Sequence, residues 1–199
     1  MLLDQNGYHD VPPGKLAAVV TYLEMTAPPE RPPAPERPDL GLAPLPRHDL
    51  VGYRDLFRCI GADWLWFSRL LMPDGQLRAI REDPAVEAYA LQQGGRAIGL
   101  LELDGRTPGE VELAYFGLVP EAVGTGAGRW LMDRAVELAF AKRPRRFWVH
   151  TCTLDHPAAL GFYLRSGFQP YGRAVEIADD PRLAGALPRE AAPSIPLID

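Results

Sequence analysis

The chain is poor in cysteine and has no long hydrophobic run. Cys59 and Cys152 are the only cysteines among its 199 residues, which excludes a disulfide framework and a cysteine-rich metal site. No apolar run approaches the roughly 18 to 20 residues that a membrane-spanning helix needs. The first ten residues include Asp4 and Asp10 and lack the basic and apolar pattern of a signal peptide. We therefore expect a soluble protein of the reducing cytoplasm, without membrane contact or bound metal.

Positive charge is also in short supply. Lysine and arginine number 21 against 26 aspartates and glutamates, which gives a net charge of -5. A nucleic-acid-binding surface requires clustered basic residues, so this balance argues against a nucleic acid partner. A mildly acidic surface instead gives a weak bias toward small cationic substrates.

Proline, by contrast, is abundant and concentrated in one segment. Eight of the 21 prolines fall between Pro28 and Pro46. Because proline disfavours both helix and sheet, residues 27–47 are predicted to be an extended insertion. Two roles are open: a docking segment for a partner, or a stiff surface linker, which the ordinary charges favour. The remaining pattern predicts a single domain over residues 1–178 and a peripheral tail over residues 179–199.

Hydrophobic patterning outside the insertion predicts strands mixed with helices. Three strands in close succession imply an antiparallel meander, and a strand-helix-strand crossover implies one parallel pair. The first strand alternates poorly, as in a strand that is buried on both faces. Pro73-Asp74-Gly75 is predicted as a turn. The predicted strands are 16–25, 86–91, 97–103, 111–119, 147–153 and 168–175, and the predicted helices start near Asp49, Trp64, Arg129 and Pro157.

A glycine loop lies between the fourth predicted strand and the helix that follows. Its sequence is Val123-Gly124-Thr125-Gly126-Ala127-Gly128. Such a loop brings backbone amides and the positive end of a helix dipole to one place, which favours a phosphate ligand; a simple tight turn is the alternative. Arg129 stands where a dinucleotide fingerprint requires glycine, and no Gly-Lys-Ser/Thr follows as in a mononucleotide P-loop.

Two sequence blocks give the loop a more specific context. One is Leu118-Val119-Pro120 with the glycine loop, and the other is the stretch Ala159–Phe168, which contains Tyr163, Gly167 and Phe168. They resemble the Gln/Arg-x-x-Gly-x-Gly/Ala and Ala-x-x-x-Tyr-x-x-x-Gly-Phe motifs of the GNAT superfamily of acyl-CoA-dependent N-acetyltransferases. This resemblance implies an α/β (α+β) fold: a mixed, mostly antiparallel sheet of about six to seven strands with helices on both faces.

The resemblance also implies acetyl-CoA as co-substrate and gives roles to particular residues. Tyr163 corresponds to the general acid that protonates the departing thiolate. The base is left open between Glu112, His150 on the neighbouring strand, and ordered water. Val123 stands where the family usually has Gln or Arg, and His156 where many members have Asn. The implied CoA-binding residues are Leu118, Val119, Val123, Gly124, Thr125, Gly126, Ala127, Gly128, Arg129, His156 and Tyr163.

The implied reaction is direct transfer of an acetyl group to the primary amine of a small molecule or peptide within a ternary complex. A noncatalytic CoA-binding sensor or partner-binding module on the same fold is the alternative. The basic stretch Lys142–Arg146 either approaches the CoA phosphates or, as we favour, serves a helix C-terminus. The oligomeric state is open, with a homodimer included. The aromatic residues expected near the acceptor are Trp64, Trp66, Phe67, Tyr89 and Tyr171.

Overall fold

The structure, a computed structural model, describes residues 6–199 and contains a seven-stranded sheet with five helices. The strands are β1 (Lys15–Met25), β2 (Leu40–Pro44), β3 (Val86–Gln93), β4 (Arg96–Asp104), β5 (Glu110–Leu118), β6 (Arg146–Cys152) and β7 (Gln169–Asp179). The helices are α1 (Leu50–Gly61), α2 (Ser68–Leu71), α3 (Asp74–Glu82), α4 (Ala127–Ala141) and α5 (Ala159–Arg165).

The strand order is β2-β3-β4-β5-β6-β1-β7. Strands β3, β4 and β5 form the predicted antiparallel meander, and β5 pairs with β6 in parallel through the α4 crossover. Strand β1 lies between β6 and β7 and is antiparallel to both. The mixed, mostly antiparallel sheet that the sequence predicts is therefore confirmed.

Helices cover both faces of the sheet, and β5 shows how the faces are divided. The ring of Tyr115 contacts Phe57 of α1 and Trp66, whereas the ring of Phe116 contacts Phe162 and Tyr163 of α5. Because successive strand residues point to opposite faces, α1 and α5 lie on opposite sides of the sheet. Phe147 of β6 contacts Phe140 of α4 and also Phe168, whose ring contacts Tyr163 of α5, so these two helices share a face.

A buried polar cluster joins the α1–α2 layer to the sheet. Glu102 of β4 is fully buried and accepts hydrogen bonds from the Tyr53 hydroxyl at 2.5 Å and the Arg69 guanidinium at 2.7 Å. Arg69 also lies over the ring of Tyr115, whose hydroxyl is hydrogen-bonded to Ser68. Since a buried charge requires a partner, these contacts fix α2 against β4 and β5.

The structure corrects three local predictions. The predicted turn at Pro73 instead begins α3, because Pro73 takes the N-cap position and lacks the amide that a helix start does not need. Within the proline-rich insertion, Leu40–Pro44 forms β2, which lies at the sheet edge where proline is tolerated. Strand β1 is not buried on both faces: Leu16, Ala18 and Val20 are buried while the residues between them are exposed.

The segment after β7, predicted as a peripheral tail, forms turns and is tied to the sheet. Leu187 and Ala192 are buried in a small cluster with Leu16 of β1 and Leu65. Asp180 and Arg182 form a buried ion pair, and Arg182 also donates to backbone carbonyls of the tail. Within residues 6–199, no helix combines the length and apolar character needed to cross a bilayer.

Candidate active site

The main cleft opens where β5 and β6 separate. Their parallel pairing covers only Glu110–Glu112 and Arg146–Trp148. Further along β5 the register with β4 shifts, so that Ala114 is left as a bulge between Leu113 and Tyr115. The strands diverge beyond this point, and a cleft of about 730 Å³ extends between them and the adjoining helices.

The glycine loop forms one end of the cleft. Gly124 and Gly126 have φ values of +80° and +86°, which disfavour any residue with a side chain. The Thr125 hydroxyl donates to the carbonyl of Ala122 at 2.8 Å and fixes the turn that leads into α4. Within the described chain, no acceptor binds the amides of Gly124, Gly126 or Gly128. Open space lies in front of Gly124, where an added Cβ would meet nothing within 4 Å.

Two arginines add positive charge to the lining of the cleft. Arg129 and Arg165 both line it, and neither forms an ion pair with an acid among residues 6–199. Free amides at the start of a 15-residue helix, together with two uncompensated guanidinium groups, are suited to a diphosphate. These residues therefore fit the phosphates of CoA. The sequence analysis did not identify Arg165, although its position on the predicted helix of Tyr163 is a usable signal.

The basic stretch Lys142–Arg146 lies away from the cleft. Lys142 pairs with Glu87 at 3.1 Å, and Arg146 pairs with Glu110 at 2.8 Å and Glu24 at 3.4 Å. None of its members lines the cleft. Two of its charges, those of Lys142 and Arg146, are therefore engaged in ion pairs.

Leu118 and Val119 are both predicted CoA-binding residues, but only one of their backbone amides is available to hold a thioester carbonyl. The amide of Val119 donates to Ile98 of β4 at 3.0 Å. Because hydrogen-bonding groups alternate between the two edges of an antiparallel strand, the amide of Leu118 points away from β4 and toward the opening beside β6. Leu118 therefore remains the candidate donor to an oxyanion.

Tyr163 lies in the middle of the cleft wall. It is 7% exposed, its ring contacts Phe116, Phe162 and Phe168, and its hydroxyl has no hydrogen-bond partner within residues 6–199. Burial raises the pKa of the Tyr163 phenol well above its ordinary value, and the negative charge of Asp155 raises it further. The hydroxyl is therefore neutral near pH 7 and can donate a proton.

The two candidate bases, Glu112 and His150, lie next to each other, and of the two only His150 lines the cleft. The Nδ1 atom of His150 lies 3.6 Å from Oε1 of Glu112. The hydrogen-bonding interaction with Glu112 raises the pKa of His150, although partial burial opposes the shift. The sequence offered these residues as alternatives, whereas the structure brings them together as one acid–base pair.

Aromatic and acidic side chains form the opposite end of the cleft. Asp155 accepts hydrogen bonds from Trp66 Nε1 at 3.2 Å, Thr151 Oγ1 at 2.7 Å and the Cys152 amide at 2.9 Å. The sequence pointed to Trp64, Trp66 and Phe67 here. No local motif connects the lining residues that were not predicted, because they come from separate elements. Among them are Ser68, Tyr115, Asp155 and Glu176.

Three predicted site residues have other surroundings. Tyr89 lies on β3 and hydrogen-bonds Glu87, and Tyr171 packs against Tyr22, so neither lines the cleft. The expectation that they surround the acceptor is wrong, because β3 and the start of β7 are separated from the opening by other strands. His156 does line the cleft, but its Nδ1 accepts the amide of Ala158 and its ring packs against Trp64.

A glycine loop before a helix, beside a parallel strand pair that opens into a cleft, defines an acetyltransferase fold. The chain belongs to the acetyltransferase (GNAT) family, whose sequence model matches residues 54–168. This family assignment confirms the resemblance found in the sequence. Among curated proteins, no sequence matches the chain.

Solved structures share this fold at low sequence identity. A GCN5-related N-acetyltransferase from Sphaerobacter thermophilus has a TM-score of 0.61 and 16% identity, covering 82% of this chain and 52% of that protein. A spermidine N-acetyltransferase from Vibrio cholerae has a TM-score of 0.55 and 19% identity, covering 74% and 98%. An aminoglycoside acetyltransferase from an uncultured soil metagenomic sample has a TM-score of 0.53 and 16% identity, covering 65% and 88%. The chain thus spans about half the length of the first of these proteins.

Proposed function

We propose that the protein transfers an acetyl group from acetyl-CoA to the primary amine of a small molecule or peptide. The observation that carries this proposal is the composition of a single cleft, which the glycine loop, Tyr163 and His150 all line. A phosphate-binding end, a neutral proton donor and a proton acceptor are the parts that acyl transfer to an amine requires.

The proposed reaction is direct attack within a ternary complex. The His150–Glu112 pair accepts a proton from the ammonium group, and the resulting amine attacks the thioester carbonyl carbon. The amide of Leu118 stabilises the oxyanion that forms there. As the carbon–sulfur bond breaks, the thiolate takes the proton of Tyr163. The attacking nitrogen loses its second proton to solvent, and solvent returns a proton to the Tyr163 phenolate. The products are the N-acetylated amine and the free thiol of CoA.

Two of the structurally similar proteins support amines as the acceptor class. Their names describe acetyltransferases of spermidine and of aminoglycosides, which are small molecules that carry several amino groups. At 16% to 19% identity this likeness shows the fold alone. The support is chemical. Those acceptors are amines, an amine must lose a proton before it attacks, and the His150–Glu112 pair would accept that proton.

The test mixes the purified protein with acetyl-CoA and a panel of amines and measures release of free thiol. We expect release above the rate without amine for at least one amine class. A parallel thermal unfolding experiment should show that CoA stabilises the protein, since a ligand of the native state alone raises its stability. Stabilisation by CoA without thiol release would instead support the noncatalytic CoA-binding module, and no stabilisation would contradict both.

A further inference from the structure

Charge is divided unequally between the two ends of the cleft. The lining arginines are Arg129, which follows the glycine loop at the start of α4, and Arg165, at the end of α5. The lining carboxylates are Asp155 and Glu176, and both contribute to raising the pKa of His150. The described lining residues include no lysine and no arginine besides these two. The His150 end therefore attracts a cation and offers no partner to an acceptor's carboxylate.

The carboxylates at this end differ in their availability. Asp155 already accepts three hydrogen bonds, from Trp66, Thr151 and Cys152, so its role in the wall is structural. Glu176 is exposed on β7 and has no ion pair or side-chain hydrogen bond within residues 6–199. Glu176 is thus the lining carboxylate that is free to contact an incoming ammonium group.

The remainder of this end is an aromatic wall with a fixed shape. The ring of Trp66 packs 5.3 Å from that of Phe57 and 5.4 Å from that of Tyr115. The hydrogen bond from its indole nitrogen to Asp155 sets the orientation of Trp66. Trp64 and Phe67 extend the lining on either side. Aromatic faces of this kind bind flat apolar groups and also interact favourably with cations.

We infer that the acceptor is an arylalkylamine: a primary amine joined by a short carbon chain to a flat aromatic group. The inference rests on the proposed function, because it specifies the amine that the cleft accepts. Glu176 attracts the ammonium group toward His150, and the aromatic wall holds the ring. The same arrangement excludes an amino acid, whose carboxylate would lie among carboxylates.

The test compares three matched amines by thiol release. They are phenethylamine, phenylalanine, which adds a carboxylate, and hexylamine, which lacks the ring. We expect kcat/KM for phenethylamine to exceed that for phenylalanine about 100-fold and that for hexylamine about 10-fold, since uncompensated charge costs more than lost apolar contact. A kcat/KM for phenylalanine equal to that for phenethylamine, or a higher one for hexylamine, would overturn the inference. Absence of thiol release with every amine would count against the proposed function instead.

A variant separates the role of Glu176 from general effects of charge. Glu176→Gln should raise KM for phenethylamine about fivefold or more and leave the Kd for CoA unchanged, because the carboxylate lies at the acceptor end. Glu190→Gln in the tail is the matched control and should alter neither value. An unchanged KM for phenethylamine in Glu176→Gln would show that Glu176 does not contribute to acceptor binding.

A second inference concerns the proline-rich segment, which is fastened along α4. Two of its attachment points, Arg129 and Asp133, are four residues apart and therefore lie on one stripe of the helix, and the third, Thr125, lies in the glycine loop just before it. Arg31 pairs with Asp133, the Arg129 guanidinium donates to the carbonyl of Pro32 at 2.9 Å, and Arg37 donates to the carbonyl of Thr125 at 3.0 Å.

Arg37 connects this segment to the glycine loop itself. Both of its remaining donor groups bind Asp39, with Nε to Oδ1 and Nη2 to Oδ2 each 2.8 Å. Asp39 is held in turn by Gln93 at 2.8 Å. The guanidinium lies 3.7 Å from the position that a Cβ on Gly126 would take. Val123, the first residue of the loop, is 45% exposed and has no polar side-chain atom to brace the loop.

The geometry points to Arg37 as a positioning residue that holds the glycine loop ready for the CoA phosphates. This inference also rests on the proposed function, because it concerns the donor's binding loop. A loop braced in its bound conformation loses less conformational freedom on binding, so the brace should appear as affinity. The proline-rich segment is then part of the donor site, although it lies outside the loop in sequence.

Calorimetry with CoA tests the role of Arg37. Arg37→Ala should weaken CoA binding about tenfold, as expected for loss of a hydrogen bond from a charged donor. Its kcat at saturating acetyl-CoA and its KM for the amine should stay unchanged, a split that general destabilisation would not produce. Arg58→Ala, which removes an exposed arginine on α1, is the control. Wild-type CoA affinity in Arg37→Ala would overturn the inference, whereas no CoA binding by the wild type would contradict the proposed function.

Discussion

The two ends of the cleft differ in how the chain builds them. The glycine-loop end comes chiefly from one short stretch, Val123–Arg129, whose backbone supplies the binding groups. The aromatic end combines Trp66, Tyr115, Asp155 and Glu176 from four separate parts of the fold. A site made of consecutive amides can bind its ligand as long as the local turn forms. A site made of side chains that are distant in sequence requires the whole sheet to be in place. Damage to each end should therefore have separable effects.

The largest expected effect concerns the proton acceptor at the aromatic end. His150→Gln should lower kcat by about 10²- to 10⁴-fold, the usual contribution of a general base, while the Kd for CoA stays unchanged. Steady-state thiol release and calorimetry measure the two quantities. His48→Gln, a substitution of an exposed histidine before α1, serves as the control. Normal turnover in His150→Gln would assign the base role to water.

The dependence of kcat/KM on pH should report the protonation of His150 and the influence of Glu112 on it. Because Glu112 raises the pKa of His150 above its ordinary 6.5, kcat/KM should increase with pH through an inflection above that value as His150 loses its proton. Glu112→Gln removes the favourable interaction and should move the inflection to lower pH. An inflection that stays in place would show that Glu112 does not act on His150.

The next prediction tests whether the aromatic end of the cleft depends on the buried ion pair between Glu102 and Arg69. Glu102→Ala leaves the buried Arg69 without its partner and should lower the free energy of unfolding by about 3 to 5 kcal/mol, measured in urea. Asp55→Ala breaks an exposed ion pair on α1 and should change it by less than about 1 kcal/mol. In folded Glu102→Ala protein, KM for the amine should rise more than the Kd for CoA. Equal increases in KM for the amine and in the Kd for CoA would contradict separate effects at the two ends of the cleft.

Tyr163 lies between the two ends and should affect neither binding step. Tyr163→Phe removes one hydroxyl and keeps the ring contacts with Phe116 and Phe168. We expect kcat to fall about 10- to 100-fold, toward the lower end of general-acid effects, with the Kd for CoA unchanged. Single-turnover thiol release measures the step directly. An unchanged rate would remove Tyr163 from the acid role.

The smallest effect belongs to the glycine-loop end and has a close internal control. Gly124→Ala places a side chain at φ +80°, which costs about 1 to 2 kcal/mol. Gly95, in the β3–β4 turn, has φ +79°, and an added Cβ meets nothing within 4 Å at either position. Both variants should lose similar stability, but only Gly124→Ala should also weaken CoA binding, about fivefold or more by calorimetry. Equal CoA affinity in the two variants would contradict a phosphate role for the loop.

The same contrast explains what the sequence could reveal. The meander, the α4 crossover and the glycine loop follow from periodicity, short connections and special backbone angles, all of which are local properties. Residues such as Asp155 and Glu176 join the cleft only because β6, α5 and β7 are arranged around it, and no spacing rule states that arrangement. Tyr89 was misplaced for the same reason: an aromatic residue on a strand does not reveal which cleft, if any, it faces.

Some local errors have local causes. Pro73-Asp74-Gly75 has the composition of a turn, yet proline also favours the first positions of a helix, and Leu77 and Arg81 are buried on the resulting α3. In the proline-rich segment, the prediction of an extended path was adequate, but its composition carries no sign of Arg37 binding the carbonyl of Thr125. Long-range polar contacts of this kind do not produce a periodic pattern in the sequence.

The position of β1 between β6 and β7 sets the order in which the fold can be completed. Val20 pairs with Cys152, and Lys15 pairs with Asp179, so β1 has its partners far away along the sequence. Contacts at such sequence separation slow folding, because loop-closure entropy is lost before they form. We expect the β3–β4–β5 meander to form early and the β6–β1–β7 half to close last. The cleft between β5 and β6 thus lies at the boundary between the part of the sheet that forms early and the part that forms last.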